Sequence, residues 1–318
     1  MEHIPIIERK TIRGTGIGLR TPHIKQLLDE DWDIPWLEIL SDNFLSAGGL
    51  DLALLDRISE RYTVTLHGVN LSLGGIIPLD MNYLEAIKQL SRRTSAAWIS
   101  EHACFSHGDF SSPSNRSSHQ SHDLLPLPYT EETIHHLADR ISQVQDFLGE
   151  QILLENVSAY LGYKSSELSE GEFLASVAEK SDCLLLLDIN NAYINARNFG
   201  SDPMTFFNAL PMHRVKEIHL AGYADKGTYL LDAHNNPVSD AVWQLYESVV
   251  EQLPNTPTLI EWDNDIPELE VLMAETEKAN RYINAFDLKN SLEHNHTLTV
   301  VPANEAQQGL DIESAPCN

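Results

Sequence analysis

Short runs of apolar residues recur along the chain and are separated by amphipathic segments or by polar loops. Several runs are continuously apolar, which is typical of parallel strands covered by helices on one side and packed on the other. Eight such runs are present: TGIGLR (15–20), WLEILS (36–41), TVTLH (63–67), AWISEH (97–102), QILLE (151–155), CLLLLD (183–188), VKEIHL (215–220) and PTLIE (257–261). The pattern therefore predicts eight buried strands.

The segments between these runs predict amphipathic helices, among them LDLALLDRISERY (50–62), DAVWQLYESVVEQL (240–253) and ELEVLMAETEKANRYINAF (268–286). Another, YTEETIHHLADRISQVQDFLGE, opens with Thr130 as a candidate N-cap and closes at Gly149. Strands alternating with helices over roughly 250 residues favour a TIM (β/α)8 barrel. The alternative is an open doubly wound sheet. That fold usually carries a glycine-rich phosphate loop after its first strand, whereas GTGIGL precedes or lies within the strand here.

Two segments do not fit the alternation. We expect one barrel domain over residues 1–290 and a mobile extension over 291–318, because this tail lacks Lys, Arg and helical periodicity. The Ser- and His-rich segment 106–123 predicts a long loop that borders the site and is more mobile than the strands. His107 and His119 are not expected to bind metal, since a mobile loop cannot fix coordination geometry.

The predicted strands end on ionisable residues. In a TIM barrel these ends meet at one rim, where active sites are built. Taken singly, each residue is compatible with a surface ion pair or a hydrogen-bonded core histidine. Together, so many acids would repel one another unless they bound protons or cations. The residues concerned are His67, His102, Glu155, Asp188, His219 and Glu261.

This constellation predicts a metal site. Imidazole and carboxylate without thiolate suit iron, zinc, manganese or magnesium. The number of candidate ligands exceeds the need of one ion and indicates two or three, with Glu155 placed by strand order to bridge them. Asn190 and Asn191 follow Asp188, while Asp232 and His234 form a D-x-H pair in a later loop. The D-x-H pair is equally compatible with a surface turn.

Composition narrows the class of protein further. A formal net charge of −26 disfavours nucleic-acid binding, and it fits either simple solubility or a basic partner. No apolar run reaches about 18 residues, so no membrane span is expected. The N-terminus lacks the apolar region of a signal peptide, and three scattered cysteines do not suggest a disulfide framework. We therefore expect a cytoplasmic protein.

Ten phrases in the sequence resemble a known family, the multinuclear non-haem iron-dependent oxidative enzymes. That family includes a methanobactin synthase subunit and a cysteine-processing enzyme of thiaglutamate biosynthesis. The phrases lie in family order within residues 14–280: GTGIGLR, LEILSDNF, LHGVNLSLGG, ISEHACFS, HDLLPLPYT, LLENVSAYL, LLLDINNAYINARN, EIHLAGY, DAHNNPV and LIEWDNDIPELEVLMAE. Such a set of ordered phrases is specific to the family and says less about the reaction.

The resemblance implies a xylose-isomerase-like TIM barrel whose two irons are held by His67, His102, Glu155, Asp188, His219 and Glu261. A third iron would lie near Asn191, Asp232 and His234. Many members of the family have His after the Ala-Gly of the seventh strand, where this chain has Tyr223. Tyr223 would ligate weakly, form a hydrogen bond near the third site, or leave that site empty.

The resemblance also implies a reaction, which is the O2-dependent oxidation of a cysteine in a ribosomally made precursor peptide. A separately encoded protein would present this peptide. Beyond the metal ligands, it assigns no catalytic residue and no other cofactor. Three alternatives stay open: a divalent-metal sugar isomerase or epimerase, a zinc endonuclease (which the net charge disfavours), and a metal-loaded peptide-binding module without catalysis.

Overall fold

The computed structural model describes residues 11–45, 48–108 and 119–297. Its strands are β1 (Thr15–Gly18), β2 (Trp36–Leu40), β3 (Thr63–His67), β4 (Ile99–His102), β5 (Phe105–Gly108), β6 (His119–Leu125), β7 (Leu153–Glu155), β8 (Leu184–Asp188), β9 (Val215–Ala221), β10 (Ala224–Asp225), β11 (Leu230–Leu231) and β12 (Thr258–Glu261). Its helices are α1 (Thr21–Asp29), α2 (Leu50–Arg61), α3 (Met81–Thr94), α4 (Glu131–Leu148), α5 (Glu170–Ser181), α6 (Ile189–Phe199), α7 (Pro203–Ala209), α8 (Asp240–Val250) and α9 (Leu269–Thr297).

Eight of these strands close into a parallel barrel in the order β1-β12-β9-β8-β7-β4-β3-β2. The ring closes where Ile17 of β1 pairs with Ile260 of β12 on one side and with Leu37 of β2 on the other. Each predicted apolar run contains one barrel strand, so the predicted TIM barrel is confirmed and the open sheet is excluded.

Local signals in the sequence set several helix ends. The Thr130 side chain accepts a hydrogen bond from the Thr133 amide and caps α4, and Gly149 ends that helix at a φ of 84°. Ser169 and Glu172 form a reciprocal capping box at the start of α5. Both ends predicted for the helix after Thr130 are therefore confirmed.

The alternation of side chains in the barrel strands separates two environments. In β9, Ile218 and Leu220 belong to the hydrophobic core between the sheet and the helices. Glu217 and His219, two residues apart, point instead to the barrel interior, where both are fully buried. The core is thus apolar outside the barrel wall and carries ionisable groups inside it.

The C-terminal helix is longer than the sequence predicted. α9 packs on the barrel, where the Thr15 hydroxyl donates to Asn280 Oδ1 at 2.7 Å, and Tyr282 stacks on Trp243 of α8 with ring centroids 5.7 Å apart. The helix continues to Thr297, so the predicted boundary at residue 290 does not coincide with its end. Residues 298–318, the rest of the predicted mobile extension, lie outside the described residues.

The predicted loop 106–123 contains regular structure at both ends. β5 and β6 pair antiparallel, with Phe105 opposite Leu125 and His107 opposite Gln120. Residues 109–118 between them lie outside the described part of the chain. The prediction of an entirely irregular loop was therefore wrong at its two ends, because pairing between the ends supplies order that the polar sequence does not signal.

Within the described residues, the structure contains no helix that is long and apolar enough to cross a membrane.

Candidate metal centre

The carboxyl ends of the barrel strands bring the six predicted ligands together. Residues on adjacent strands lie side by side: His102 pairs with Glu155, and Asp188 pairs with His219. Five of the six end their strands, whereas His219 lies two residues before the end of β9. All six side chains are buried.

The first group of candidate ligands consists of His67, His102 and Glu155. Glu155 Oε2 lies 3.3 Å from His67 Nε2 and 3.1 Å from His102 Nε2. The two imidazole rings meet edge to face, with centroids 4.6 Å apart. One carboxylate oxygen therefore faces two imidazole nitrogens that belong to neighbouring strands.

The second group consists of Glu155, Asp188, His219 and Glu261, whose ligand atoms lie within 4.8 Å of one another. His219 Nδ1 is 3.6 Å from Glu155 Oε1 and 3.2 Å from Glu261 Oε2. Glu155 thus belongs to both groups, with one oxygen toward each, and its geometry agrees with the bridging position expected from strand order.

A third group lies at the outer side of the rim, where His234, Glu261 and Asp263 converge. His234 Nδ1 is 3.5 Å from Glu261 Oε2 and 2.8 Å from Asp263 Oδ2, while its Nε2 lies 2.6 Å from Asp232 Oδ1. The D-x-H pair therefore lies at the site rather than in a separate surface turn. Glu261 links this group to the second one.

The third group also contains a cation that the sequence analysis did not place there. Arg20, which is buried, forms an ion pair with Asp263, and its positive charge also faces Glu261. Burial acts to lower the pKa of Arg20, but these carboxylates outweigh it and raise that pKa. Arg20 follows the first strand in GTGIGLR, and a position just after a strand was the signal that could have placed Arg20 at the rim.

Beneath the centre lies a fourth cluster, formed by Glu38, Glu217 and His219. His219 Nε2 is 3.3 Å from Glu38 Oε2 and 3.5 Å from Glu217 Oε1, and Trp98 Nε1 donates to Glu217 Oε2 at 2.5 Å. Both nitrogens of the His219 ring therefore face carboxylates. Strand ends do not reveal Glu38 and Glu217, because both residues lie within their strands.

The candidate ligands are held by hydrogen bonds from adjoining elements. His67 Nδ1 lies 2.7 Å from the Ser100 hydroxyl, and His102 Nδ1 lies 3.1 Å from the Gly68 carbonyl oxygen. Asp188 caps α6, since its Oδ1 accepts from the Asn191 amide at 2.6 Å. Such contacts fix the rings and leave the other ligand atoms free to face the centre.

Asn190 and Asn191 are both buried beside the ligands. Asn190 donates to Asp232 Oδ1 at 2.9 Å, and Asn191 donates to the Asn156 carbonyl oxygen at 3.1 Å. The Oδ1 atoms of both asparagines are buried without a hydrogen-bond partner among the described residues. Asn191 also lines the central cavity, whereas Asn190 does not.

Burial and the neighbouring charges together set the ionisation of the centre. It raises the pKa of Glu155 to about 7, although His102 and His219 oppose the rise. Burial also raises the pKa of Asp188 well above its ordinary value, with Glu155 adding to the effect. For His102, burial acts to lower the pKa, but Glu155, Glu101 and Glu261 together outweigh it and raise the pKa to about 9. The carboxylates thus need protons or cations to be stable here.

The residues present fit metal ions. A cavity of about 240 Å³ is lined by seven of the candidate ligands, namely His67, His102, Glu155, Asn191, Asp232, His234 and Glu261. Asp188 and His219 lie outside that lining. Within the described residues, Glu155 Oε2, Asp188 Oδ2 and Asn191 Oδ1 are buried with no hydrogen-bond partner. Glu155 Oε2 is near two imidazoles without hydrogen-bond geometry. Groups of nitrogen and oxygen donors that converge without bonding one another are suited to hold cations between them.

Tyr223 is not among the residues that line the central cavity. Its ring stacks on Tyr193 with centroids 5.5 Å apart, and its carbonyl oxygen accepts from Asn236 Nδ2 at 3.2 Å. The preceding Gly222 packs tightly against the same loop, since a Cβ there would lie 1.9 Å from the Asn236 carbonyl oxygen. The loop that carries Asp232 and His234 therefore needs glycine at this position.

Of the two histidines in the predicted loop, the structure describes the side-chain surroundings of His107 only. His107 lines a neighbouring cavity of about 400 Å³ with Asp42, Tyr83 and Arg140, apart from the ligand groups. The side chain of His119 lies outside the described residues. Leu124 of β6, one residue beyond the predicted loop, lines the central cavity. The two ends of the loop, Ser106 and Asp123, line an adjoining cavity together with Asp232.

Solved structures similar to this chain share its fold. Endonuclease IV from Thermus thermophilus matches with a TM-score of 0.54 at 14% sequence identity, over 87% of this chain and 99% of that one. A structure of L-ribulose 3-epimerase matches with a TM-score of 0.54 at 14% identity, over 92% of this chain and 99% of that one. A third structure, a xylose isomerase-like TIM barrel fused to a 4-hydroxyphenylpyruvate dioxygenase, matches with a TM-score of 0.53 at 10% identity, over 92% of this chain and 46% of that one. The fold is therefore that of a xylose-isomerase-like TIM barrel, as predicted.

Relatives much closer in sequence are also known. A UPF0276 protein of Acaryochloris marina is 48% identical over 278 residues, covering 87% of this chain and 98% of the relative. A UPF0276 protein of Anaeromyxobacter sp. is 45% identical over 271 residues, covering 85% and 93% respectively. The model of the RiPP precursor modification enzyme family MbnB/TglH/ChrH matches residues 14–284. The chain therefore belongs to the MbnB/TglH/ChrH family of RiPP precursor modification enzymes.

Proposed function

We propose that this protein is a multinuclear non-haem iron enzyme that uses O2 to oxidise a cysteine in a ribosomally made precursor peptide. The observation that supports the proposal most is the pair of shared carboxylates, because Glu155 joins the first and second ligand groups and Glu261 joins the second and third. Membership of a family of peptide-modifying enzymes supports the class of substrate.

The proposed ligands are His67, His102, Glu155, Asp188, His219 and Glu261 for two ions, with Asn191, Asp232 and His234 near a third. Iron bound there would lower the pKa of a substrate thiol and supply the redox chemistry toward O2. The donor set alone would also accept zinc, so iron rests on the family. Asp263 is an added candidate, although its ion pair with Arg20 competes with a metal for the same carboxylate.

The protein's own residues contribute position and exclusion of water. The Ser100 hydroxyl and the Gly68 carbonyl oxygen orient two imidazoles, while Glu38 and Glu217 hold His219 from below. Val69, Leu124 and Val157 give the cavity an apolar wall beside the ligands. Such a wall lowers the local dielectric and shields a reactive cysteine from bulk water.

Substrate presentation by a separately encoded protein is part of the same proposal, and a cytoplasmic location, where such peptides are made, goes with it. The net charge of −26 supports a partner or peptide with a basic face. It also opposes binding of nucleic acid. The structural likeness to an endonuclease and an epimerase extends only to the fold.

The test uses protein loaded with Fe(II) under anaerobic conditions and the Cys-containing peptide encoded beside its gene. After air is admitted, we expect O2 consumption and a mass change that maps to the cysteine. The peptide with Ser in place of Cys is the matched control and should stay unchanged. A full iron complement with neither O2 consumption nor a mass change would exclude the oxidation and favour a binding module.

A further inference from the structure

A second cavity, of about 320 Å³, lies next to the metal centre on the same side of the barrel. Its walls are formed by the segment that precedes α4, the loop after β7, the first residue of α5, and the face of α6 that carries Asn195 and Phe199. The rings of Tyr129, Tyr163 and Phe199 line it. Phe199 is 51% exposed, so an aromatic ring borders the opening to solvent.

One carboxylate lies in this aromatic cavity. Glu170 receives a hydrogen bond from Asn195 Nδ2 at 3.1 Å. Among the described residues, no Lys, Arg or His forms an ion pair with it, in contrast to the carboxylates of the metal centre. Burial raises the pKa of Glu170 to about 7. Glu170 is half-buried. A partly desolvated carboxylate without a counter-charge is unfavourable, and a cation entering the cavity would supply that counter-charge.

The loop after β7 separates the two cavities. Val157 and Ser158 line the central cavity of the candidate metal centre, called the metal cavity from here on. Ala159 and Leu161 line the aromatic cavity. Asn195 holds this divide, because its side chain accepts from the Ala159 amide at 2.7 Å and donates to the Val157 carbonyl oxygen at 2.9 Å. A peptide in one cavity therefore reaches the other within a few residues, each of which spans about 3.3–3.6 Å when extended.

We propose that the aromatic cavity binds a basic side chain, Lys or Arg, of the same peptide whose cysteine enters the metal cavity. Glu170 supplies the counter-charge, and the faces of Tyr129, Tyr163 and Phe199 attract the cation through their π-systems. The identity of the ligand as part of a peptide rests on the proposed function. The preference for an organic cation does not, since it follows from the cavity itself.

Other ligand classes fit this cavity less well. Within the described residues, the clusters suited to a metal ion do not include Glu170, and one carboxylate is too few to hold one. A purely apolar side chain would cover Glu170 and leave its charge without a partner. An anion would be repelled by it.

Two small probes test the proposal directly. The first is Nα-acetyl-lysine N-methylamide, and the second is Nα-acetyl-norleucine N-methylamide, which keeps the alkyl chain and lacks the ammonium group. Titration calorimetry on the wild type should give tighter binding of the lysine probe by about tenfold, or ~1.4 kcal/mol. Glu170→Gln should abolish this preference. Glu172→Gln, a matched charge change two residues away on the exposed side of the capping box, should keep it.

Independent readouts guard against a folding defect in the Gln variant. Phe199→Ala leaves the carboxylate in place and, because Phe199 is half exposed, should fold, yet it should weaken the lysine probe severalfold. Affinity of the wild type for the lysine probe should also rise as the pH increases through about 7 and level off above it, as Glu170 becomes fully ionised. Tyr129 and Tyr163, the other titratable groups of the lining, have raised pKa values and stay neutral in this range.

Several results would overturn the proposal: equal affinity for both probes, no binding of either, or a lysine preference that survives in Glu170→Gln. The outcome is separable from that of the iron assay. Lysine binding without cysteine oxidation would support the aromatic cavity as a binding site for a basic side chain and would exclude the proposed reaction. Cysteine oxidation without lysine binding would do the reverse.

Discussion

The metal cavity and the aromatic cavity place the same chemical group in two different settings. Burial raises the pKa of Glu155 in the first and of Glu170 in the second to about 7. Glu155 faces three imidazoles, those of His67, His102 and His219, at 3.1–3.6 Å. Glu170 faces an amide and aromatic rings.

The difference indicates which of the two acids is the better candidate for a metal ligand. Burial raises the pKa of both carboxylates to a similar value, although Glu155 is fully buried and Glu170 is half-buried, so a perturbed pKa does not distinguish them. The two carboxylates differ in the number of other nitrogen and oxygen donors that lie close to them. Many donors around a cavity favour a small metal ion, whereas one carboxylate among rings favours an organic cation.

The largest expected effect is that of Glu155→Gln, which removes the charge shared by the first two ligand groups. Substitutions behind metal ligands cost about 10–100-fold in affinity, so loss of this shared ligand should cost more than about 100-fold, together with all activity. Elemental analysis after iron loading measures the metal. Glu170→Gln is the matched control and should retain the full complement. Equal iron in both variants would contradict the assignment of the two cavities.

A smaller loss is expected from His234→Ala. The third group shares only Glu261 with the second, and Arg20 already neutralises part of its charge. The variant should lose one ion and keep the others, which iron counting and Mössbauer spectroscopy would report. His67→Ala provides the comparison, because it removes a ligand from the group that contains Glu155. Loss of every ion in His234→Ala would mean that the groups do not fill independently.

Glu170 should make the free energy of unfolding depend on pH, because folding raises its pKa. The pKa of Glu170 is raised from 4.5 to about 7 on folding, so its contribution is fully present below pH 4.5 and is lost as the pH rises through about 7. Glu170→Gln removes that loss. Its free energy of unfolding, relative to the wild type, should be higher by roughly 1 kcal/mol at about pH 8 than at about pH 5. Urea denaturation of the metal-free proteins measures this. A difference independent of pH would show that Glu170 ionises normally.

The smallest effect is expected from Tyr223→His. The Tyr223 ring stacks on Tyr193 and does not line the metal cavity, so an imidazole there should leave the iron content nearly unchanged. The control is His234→Ala, assayed in parallel. A gain of one ion in Tyr223→His would show that this position belongs to the third group after all.

The barrel and most of the proposed centre could be predicted because both follow from the ends of strands. Continuous apolar runs located all eight strands, and the rule that parallel strands share one rim brought His67, His102 and Glu155 together before any distance was known. Asp188 was found in the same way. It also caps α6, a local role that the sequence analysis did not assign.

Other parts could not be read so directly. Glu38 and Glu217 lie inside strands, where a side chain's direction depends on register, although the two-residue spacing of Glu217 and His219 was a usable signal. The pairing of β5 with β6 depends on contacts between distant residues. The aromatic cavity joins segments from three elements, and neither Glu170 at a helix start nor Phe199 near a helix end marks a site on its own.

Asn195 connects the metal cavity to the aromatic cavity through its hydrogen bonds. Its side chain holds the backbone at Val157 and Ala159 and also the carboxylate of Glu170. If occupancy of one cavity shifts this loop, the affinity of the other changes by a factor that thermodynamic reciprocity makes equal in both directions. The presence of iron would then appear in the dissociation constant of the lysine probe, and the probe would alter iron affinity by the same coupling free energy.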